Sequence, residues 1–280
     1  MNGVKKHVNW GLPSKIFMYL WCGFSLFSFL WIVVTSFKTN KEFFASVWGM
    51  FQSPQIGNYI KVWTNYNLGR FFFNSVFVVG ISVAAILAVS APAAYVLSRI
   101  PFRWRDTISK GFIFGMGVPY QLLLVPLFFI LFKIRLIDNL LGLILVYTAL
   151  SLPFTVFLMM GFFRSLPHQL EEASFIDGCG PIKTFFKIML PLGQPAIITS
   201  GIFNFIWLWN EFLLALTLIN DSEKYTLSLG LYGLQGSMQY TGDWVSLFAG
   251  FVTVVIPTLV IYLFLSRRII EGLTLGAVKE

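Results

Sequence analysis

Long uncharged apolar runs recur along this 280-residue chain, near residues 16–37, 71–98, 111–132, 140–163, 196–219 and 245–266. Each is long enough to cross about 30 Å of hydrocarbon as a helix. The runs are continuous and rich in Leu, Phe and Ile, whereas strands of a membrane barrel would last about ten residues and alternate in polarity. The pattern therefore predicts an all-α polytopic membrane protein with six transmembrane helices, each closing its backbone hydrogen bonds internally. Polar connections fall at 38–70, 164–195 and 220–244, with no internal repeat or soluble domain between them. The expected organisation is an amino-terminal tail over 1–15, one membrane domain over 16–266 and a carboxyl-terminal tail over 267–280.

Composition agrees: 57% of residues are hydrophobic and 11% charged, a balance suited to a bilayer. The basic residues then set an orientation. With the amino terminus in the cytoplasm, thirteen fall on that side (Lys5, Lys6, Lys15, Arg99, Arg103, Arg105, Lys110, Arg164, Lys183, Lys187, Arg267, Arg268, Lys279) and seven on the other. The positive-inside rule predicts both termini cytoplasmic. The net charge of +8 is thus topological and dispersed, unlike the concentrated basic face of a nucleic-acid reader.

The first run holds Trp21 and Trp31 and lacks a small-residue exit, so it is expected to be a retained helix and not a cleaved signal. Cys22 lies in that run and Cys179 in a polar loop, which excludes a disulfide between them. His7 and His168 are the only histidines, too few for a metal cluster. No lysine follows a glycine, so the chain has no P-loop with which to cradle ATP.

The connection at 164–195 is the most structured of the polar stretches. Ser165 is expected to cap a first helix with Pro167 in its first turn, running from His168 to Ile176 until Gly178 supplies positive φ. Gly180-Pro181 restarts a second helix to about Met189, with Phe185, Phe186 and Met189 on one side and Lys183 and Lys187 on another. Pro191 is expected to stop it. Such a pair of short helices either projects as a rigid knob into a partner, with Glu171, Glu172 and Asp177 offered to basic groups, or packs on its own membrane helices.

The spacing of Glu172, Ala173, Ser174, Gly178, Ile188, Leu190 and Pro191 resembles the cytoplasmic coupling loop of permeases from binding-protein-dependent ABC importers. Ser174 stands where a second Ala is usual and Cys179 where a small Ala is common; both remain small. Further stretches are similar to the carbohydrate-uptake branch, which includes the second membrane subunit of maltose-type importers: Ala94–Arg99, Leu152–Phe154, Phe162–Pro167, Trp209–Phe212 and Glu271–Lys279. The resemblance covers about residues 16–280.

The resemblance implies a type I ABC importer permease fold and a permease subunit of an ATP-driven sugar importer, which is not itself an enzyme. It implies ATPase coupling at Glu171, Glu172, Ala173, Ser174, Asp177, Gly178, Leu190 and Pro191, and ATPase contact by Gly276, Ala277, Val278 and Lys279 in the tail. The implied partners are a second, homologous permease forming a heterodimer, two ATP-binding subunits, an extracytoplasmic solute-binding protein and a sugar substrate, in a bacterial or archaeal cytoplasmic membrane. No cofactor is expected on this chain; MgATP belongs to the partner subunits. The alternatives are the same architecture carrying a polyamine, amino acid or phosphate, a purely structural membrane subunit, or a secondary transporter, which would call for more buried ionisable groups and inverted repeats.

Glu211 is the sole acidic residue within an apolar run. Facing lipid it would cost about 2.5 to 3.5 kcal/mol, so it is expected to face the bundle interior with Asn210, and Asn204 or Gln121, beside it. Those four residues either line a translocation path or pin the fifth helix to a neighbour.

Overall fold

The computed structural model describes residues 11–277 and is helical throughout, with no strand among the described residues. Two compact units divide it: the chain up to Tyr66 together with Leu234–Thr253, and Asn67–Gly233 together with the chain from Val254 onward.

The first unit contains α1 (Leu12–Ser36), two short helices α2 (Asn40–Ala45) and α3 (Gly57–Thr64), the end of α13 (Leu227–Thr241) and the start of α14 (Trp244–Ala277). α1 is predominantly apolar, and Phe17, Leu20, Trp21 and Phe24 on it are exposed, as a lipid-facing span requires. α2 begins at a capping box: Thr39 accepts from the Glu42 backbone N–H while Glu42 accepts from that of Thr39, satisfying two donors that a helix start otherwise orphans. The 38–70 connection is thus ordered by its own chemistry. Asp243 gathers Asn40, Lys61, Tyr66 and Ser246 around its carboxylate; burial pushes its pKa up, but Lys61, Asn40 and Ser246 together hold it down to about 2.

The second unit is the bundle. α4 (Leu68–Arg99) and α7 (Leu140–Ser165) are its long members, and they carry Pro92 and Pro153 without interruption. The third apolar run is broken: α5 (Arg105–Met116) and the segment Tyr120–Lys133, a 3-10 turn leading into α6 (Leu124–Lys133), meet at 95°. Pro119 sits at that break, where its missing N–H and the restriction on Val118 oppose a continuous helix.

The fifth run is broken once, and the segment leading into it is bent as well. α9 (Pro181–Thr184) continues through a π-turn at Phe185–Met189 into α10 (Leu190–Leu192), and this segment meets α11 (Gln194–Asn210) at 70°. α11 then ends at Asn210 and a separate α12 (Leu213–Leu218) follows. Counting each bent pair as one crossing, six segments are long and apolar enough to span a membrane. The last helix runs on through Ala277, past the span end expected at 266.

The bundle core at the loop end of α4 and α7 comprises Ala91, Ala94, Tyr95, Leu97, Val156, Met159, Met160, Phe163, Phe185 and Met189. The small Ala91 and Ala94 let the helices approach closely. Gly193 serves the same packing, since a Cβ there would lie 2.9 Å from the Phe163 ring.

Candidate functional site

The 164–195 connection folds as two short helices, α8 (Gln169–Ile176) and α9, turned at Gly178 with φ of +73°. That turn is the one the sequence predicts, and only glycine enters this region without a Cβ penalty. Other details differ from expectation. Ser165 does not cap α8; its hydroxyl donates back to Phe162 O inside α7, and His168 occupies the cap position without a side-chain bond to the helix-start N–H groups. Pro191 does not itself end the second helix, which runs one residue further to Leu192. The chain turns at Gly193 instead.

The predicted coupling residues fall into two sets. Glu171 and Ser174 face inward: Glu171 is 8% exposed and Ser174 2%. Glu171 Oε2 stands 3.7 Å from Arg99 Nη1 and 3.6 Å from His168 Nδ1, with the Tyr95 hydroxyl close by. Arg99 also donates to Leu166 O and lies 3.0 Å from His168 Nδ1. The Ser174 hydroxyl shares a 2.9 Å hydrogen bond with Thr184, joining α8 to α9. Glu171 is thus paired within the chain to Arg99, where the sequence alone offered it to a partner's basic group. Ser174 is likewise a fastener and not a surface residue.

Glu172, Ala173, Asp177 and Gly178 form the outward set, all exposed, and Pro191 is exposed while Leu190 is half-buried. Beside them stand apolar side chains that sequence reasoning did not single out: Phe175 at 52% exposure, Ile176 at 86% and Ile182 at 76%. Phe186 belongs here too. Expected to share a face with Phe185 and Met189, it is 60% exposed while those two are buried, because the π-turn brings Phe185 and Met189 into line and leaves Phe186 to one side. The available sequence signal was the placing of Phe175, Ile176 and Ile182 beside the turn residues Gly178, Gly180 and Pro181 in an otherwise polar stretch.

The knob is anchored from beneath. Phe185 packs 5.2 Å from the Tyr95 ring and Met189 is fully buried in the α4–α7 core. Burying such side chains contributes roughly 2 kcal/mol each, so the loop is held firmly to α4 and α7.

Glu211 lies in the bundle interior as expected, but with other partners than the sequence suggested. Glu211 is 5% exposed and sits where α11 breaks. Its carboxylate accepts from Tyr147 OH at 2.6 Å, Leu214 N at 2.7 Å and Ala215 N at 3.2 Å. It thus occupies the positive start of α12, where orphaned N–H groups stabilise an anion. Asn210, Asn204 and Gln121 are not its partners. Asn210 is exposed and donates to Ile206 O, Asn204 donates to Thr155 and to Ser200 O, and Gln121 is exposed in the 3-10 turn. Glu211 pins α7 to α11 and α12. Of the tail residues, Gly276 and Ala277 lie in the last turn of α14, and Val278 and Lys279 lie outside the described residues.

Comparison with known proteins matches residues 80–271 to the family described as the binding-protein-dependent transport system inner membrane component. The diacetylchitobiose uptake system permease of Streptomyces coelicolor is 38% identical over 95% of this chain and 88% of that protein. The sulfoquinovosyl glycerol transport system permease of Agrobacterium fabrum is 36% identical over 91% of this chain and 89% of its own length. Among solved structures, a bacterial ABC transporter involved in import of the acidic polysaccharide alginate superposes with a TM-score of 0.78 at 21% identity, covering 92% of this chain and 95% of that one.

Proposed function

The chain belongs to the inner-membrane components of binding-protein-dependent transport systems, and from that premise we propose that it is one permease subunit of an ATP-driven carbohydrate importer. It pairs with a second permease, receives sugar from an extracytoplasmic binding protein and draws work from two ATP-binding subunits carrying MgATP. Both termini face the cytoplasm, as the distribution of its basic residues favours.

One observation carries this reading: the exposed knob around Glu172, Gly178, Ile176, Ile182 and Phe186, fastened underneath to α4 and α7. An apolar projection of this kind is out of place in water and fits a groove on a soluble partner. ATP binding closes the ATPase pair, the partner's groove shifts, and the fastened knob carries the shift to the spans as a rigid body. The ATPase must hold the knob differently in its open and closed forms, since equal contacts in both would move nothing. The relatives' names, one for a diacetylated disaccharide and one for a sugar glycerol conjugate, support sugar as the cargo over a polyamine or amino acid. Uptake of labelled oligosaccharides by cells expressing the full transporter tests it: ATP-dependent accumulation of a saccharide supports the reading, and accumulation of amino acids or polyamines alone refutes it.

A further inference from the structure

One face of α5 is left uncovered by the rest of the chain. Thr107, Lys110 and Phe114 recur on it at helical spacing and are all exposed, Phe114 at 78%. Arg103 and Trp104, in the turn that leads into the helix, are exposed beside them. The opposite face packs on the bundle: Ser109 is buried, and a Cβ at Gly115 would lie 3.3 Å from Pro153 of α7. At Gly111, by contrast, a Cβ would point into open space.

The turn before α5 is fixed by its own hydrogen bonds. Arg105 donates from Nε to Leu97 O and from Nη2 to Ser98 O, both at 2.9 Å, which closes the end of α4. Arg103 lies over the Trp104 ring, 5.5 Å from its centroid, a cation–π contact that holds the guanidinium at the surface. Among the described residues neither Arg103 nor Lys110 has an ion-pair partner, and Asp106, one turn before Lys110, makes none with it. Two unopposed cations thus flank an exposed tryptophan where an apolar segment begins. Arg99 donates to Leu166 O only a few residues upstream, so this end of α5 lies on the same side of the bundle as the knob.

We propose that this face binds an anionic phospholipid of the cytoplasmic leaflet, its phosphate held between Arg103 and Lys110 and an acyl chain laid past Gly111 along Phe114. The inference rests on the reading above that the knob's side is cytoplasmic. Trp104 suits the headgroup zone, and Lys110, about two turns deeper, reaches back to it along its aliphatic stem. Each cation at such a surface strengthens attraction to anionic lipid about five-fold. A zwitterionic lipid brings its own ammonium to the phosphate and is drawn less. A second permease seated here would bury both cations, and burying an unpaired charge is expensive. The bound lipid would brace the turn between α4 and α5, next to the Arg99 that ties α4 to α8.

The test titrates the complete transporter, delipidated in mild detergent, with phosphatidylglycerol or phosphatidylcholine and counts bound lipids by native mass spectrometry. The natural chain is expected to bind phosphatidylglycerol about ten-fold more tightly than phosphatidylcholine. Arg103→Gln with Lys110→Gln is expected to lose that preference. Lys41→Gln with Lys133→Gln, which removes as much charge from exposed positions elsewhere, is expected to keep it. In parallel, Gly111→Cys carrying a benzophenone is irradiated in membranes, and the adduct is expected to be lipid. Equal affinity for the two lipids, equal loss in both double variants, or an adduct to the second permease would overturn the site. Should the Arg103 and Lys110 variant fail to assemble, the lipid preference and the adduct at position 111 decide. Failure of the orientation reading is visible separately: a membrane-impermeant maleimide would then label Asp177→Cys from outside intact spheroplasts.

Discussion

Arg99 Nη1 stands 3.7 Å from Glu171 Oε2, with the guanidinium side chain 1% exposed and the carboxylate side chain 11%, tying the end of α4 to the first turn of α8. The pair is the electrostatic counterpart of the Phe185 and Met189 anchor. Removing one member of a buried pair leaves the other charge uncompensated, at a cost of about 3 kcal/mol. Glu171→Ala is therefore expected to loosen the knob. Limited proteolysis of the 164–195 segment in the assembled transporter should accelerate, and sugar uptake should fall more than basal ATP hydrolysis. Unchanged cleavage would show that the apolar anchor suffices.

Gly178 adopts φ of +73° with open space around it, so a side chain there is penalised by the backbone and not by crowding. A β-branched residue in this region is an outlier, whereas Asn is tolerated. Gly178→Val is expected to leave the protein inserted while separating uptake from ATP hydrolysis, with Gly178→Asn much milder. Normal uptake by the Val variant would contradict the role given to the turn.

Glu211 satisfies three donors at a helix break. In Glu211→Ala those donors lose their acceptor, and each buried unsatisfied group costs about 1–3 kcal/mol. Thermal unfolding of the purified protein in detergent should shift down sharply, and Tyr147→Phe, which removes one bond, should shift it less. Full stability with lost transport in Glu211→Ala would instead assign Glu211 to the path.

Asp243 lies outside the spans with its pKa lowered to about 2 by Lys61, Asn40 and Ser246. Its folded value is below the unfolded value of about 3.9. The stability it contributes is thus complete above about pH 4 and is lost as the pH falls through its folded value, the unfolded chain binding the proton first. Thermal unfolding followed from pH 5 downward should show this acid loss, and Asp243→Asn should flatten that part of the profile.

Much of the architecture was legible because hydropathy reports length and lipid exposure directly. α1, α4 and α7 lie within a few residues of the apolar runs at 16–37, 71–98 and 140–163. The breaks were not legible in the same way. A window average cannot distinguish Pro119, which sits at a 95° bend, from Pro92 and Pro153, which helices absorb. Glu211 was recognised as buried, but its true partners are one tyrosine hydroxyl and two backbone N–H groups, and backbone donors carry no sequence signature. Phe186 departs from the expected face because a π-turn, with more residues per turn than an α-helix, sets Phe185 and Met189 nearly in line and leaves Phe186 off that face.

The account stands on the exposed knob being where the ATPase binds. Co-purification in mild detergent with the products of neighbouring genes tests this most directly, comparing the natural chain with Ile176→Asp, a change at an 86% exposed side chain that should not disturb folding. The account predicts recovery of a second permease and an ATPase with the natural chain, and of the second permease alone with Ile176→Asp. Recovery of the natural chain without any ATPase, or of equal ATPase with both chains, would contradict it.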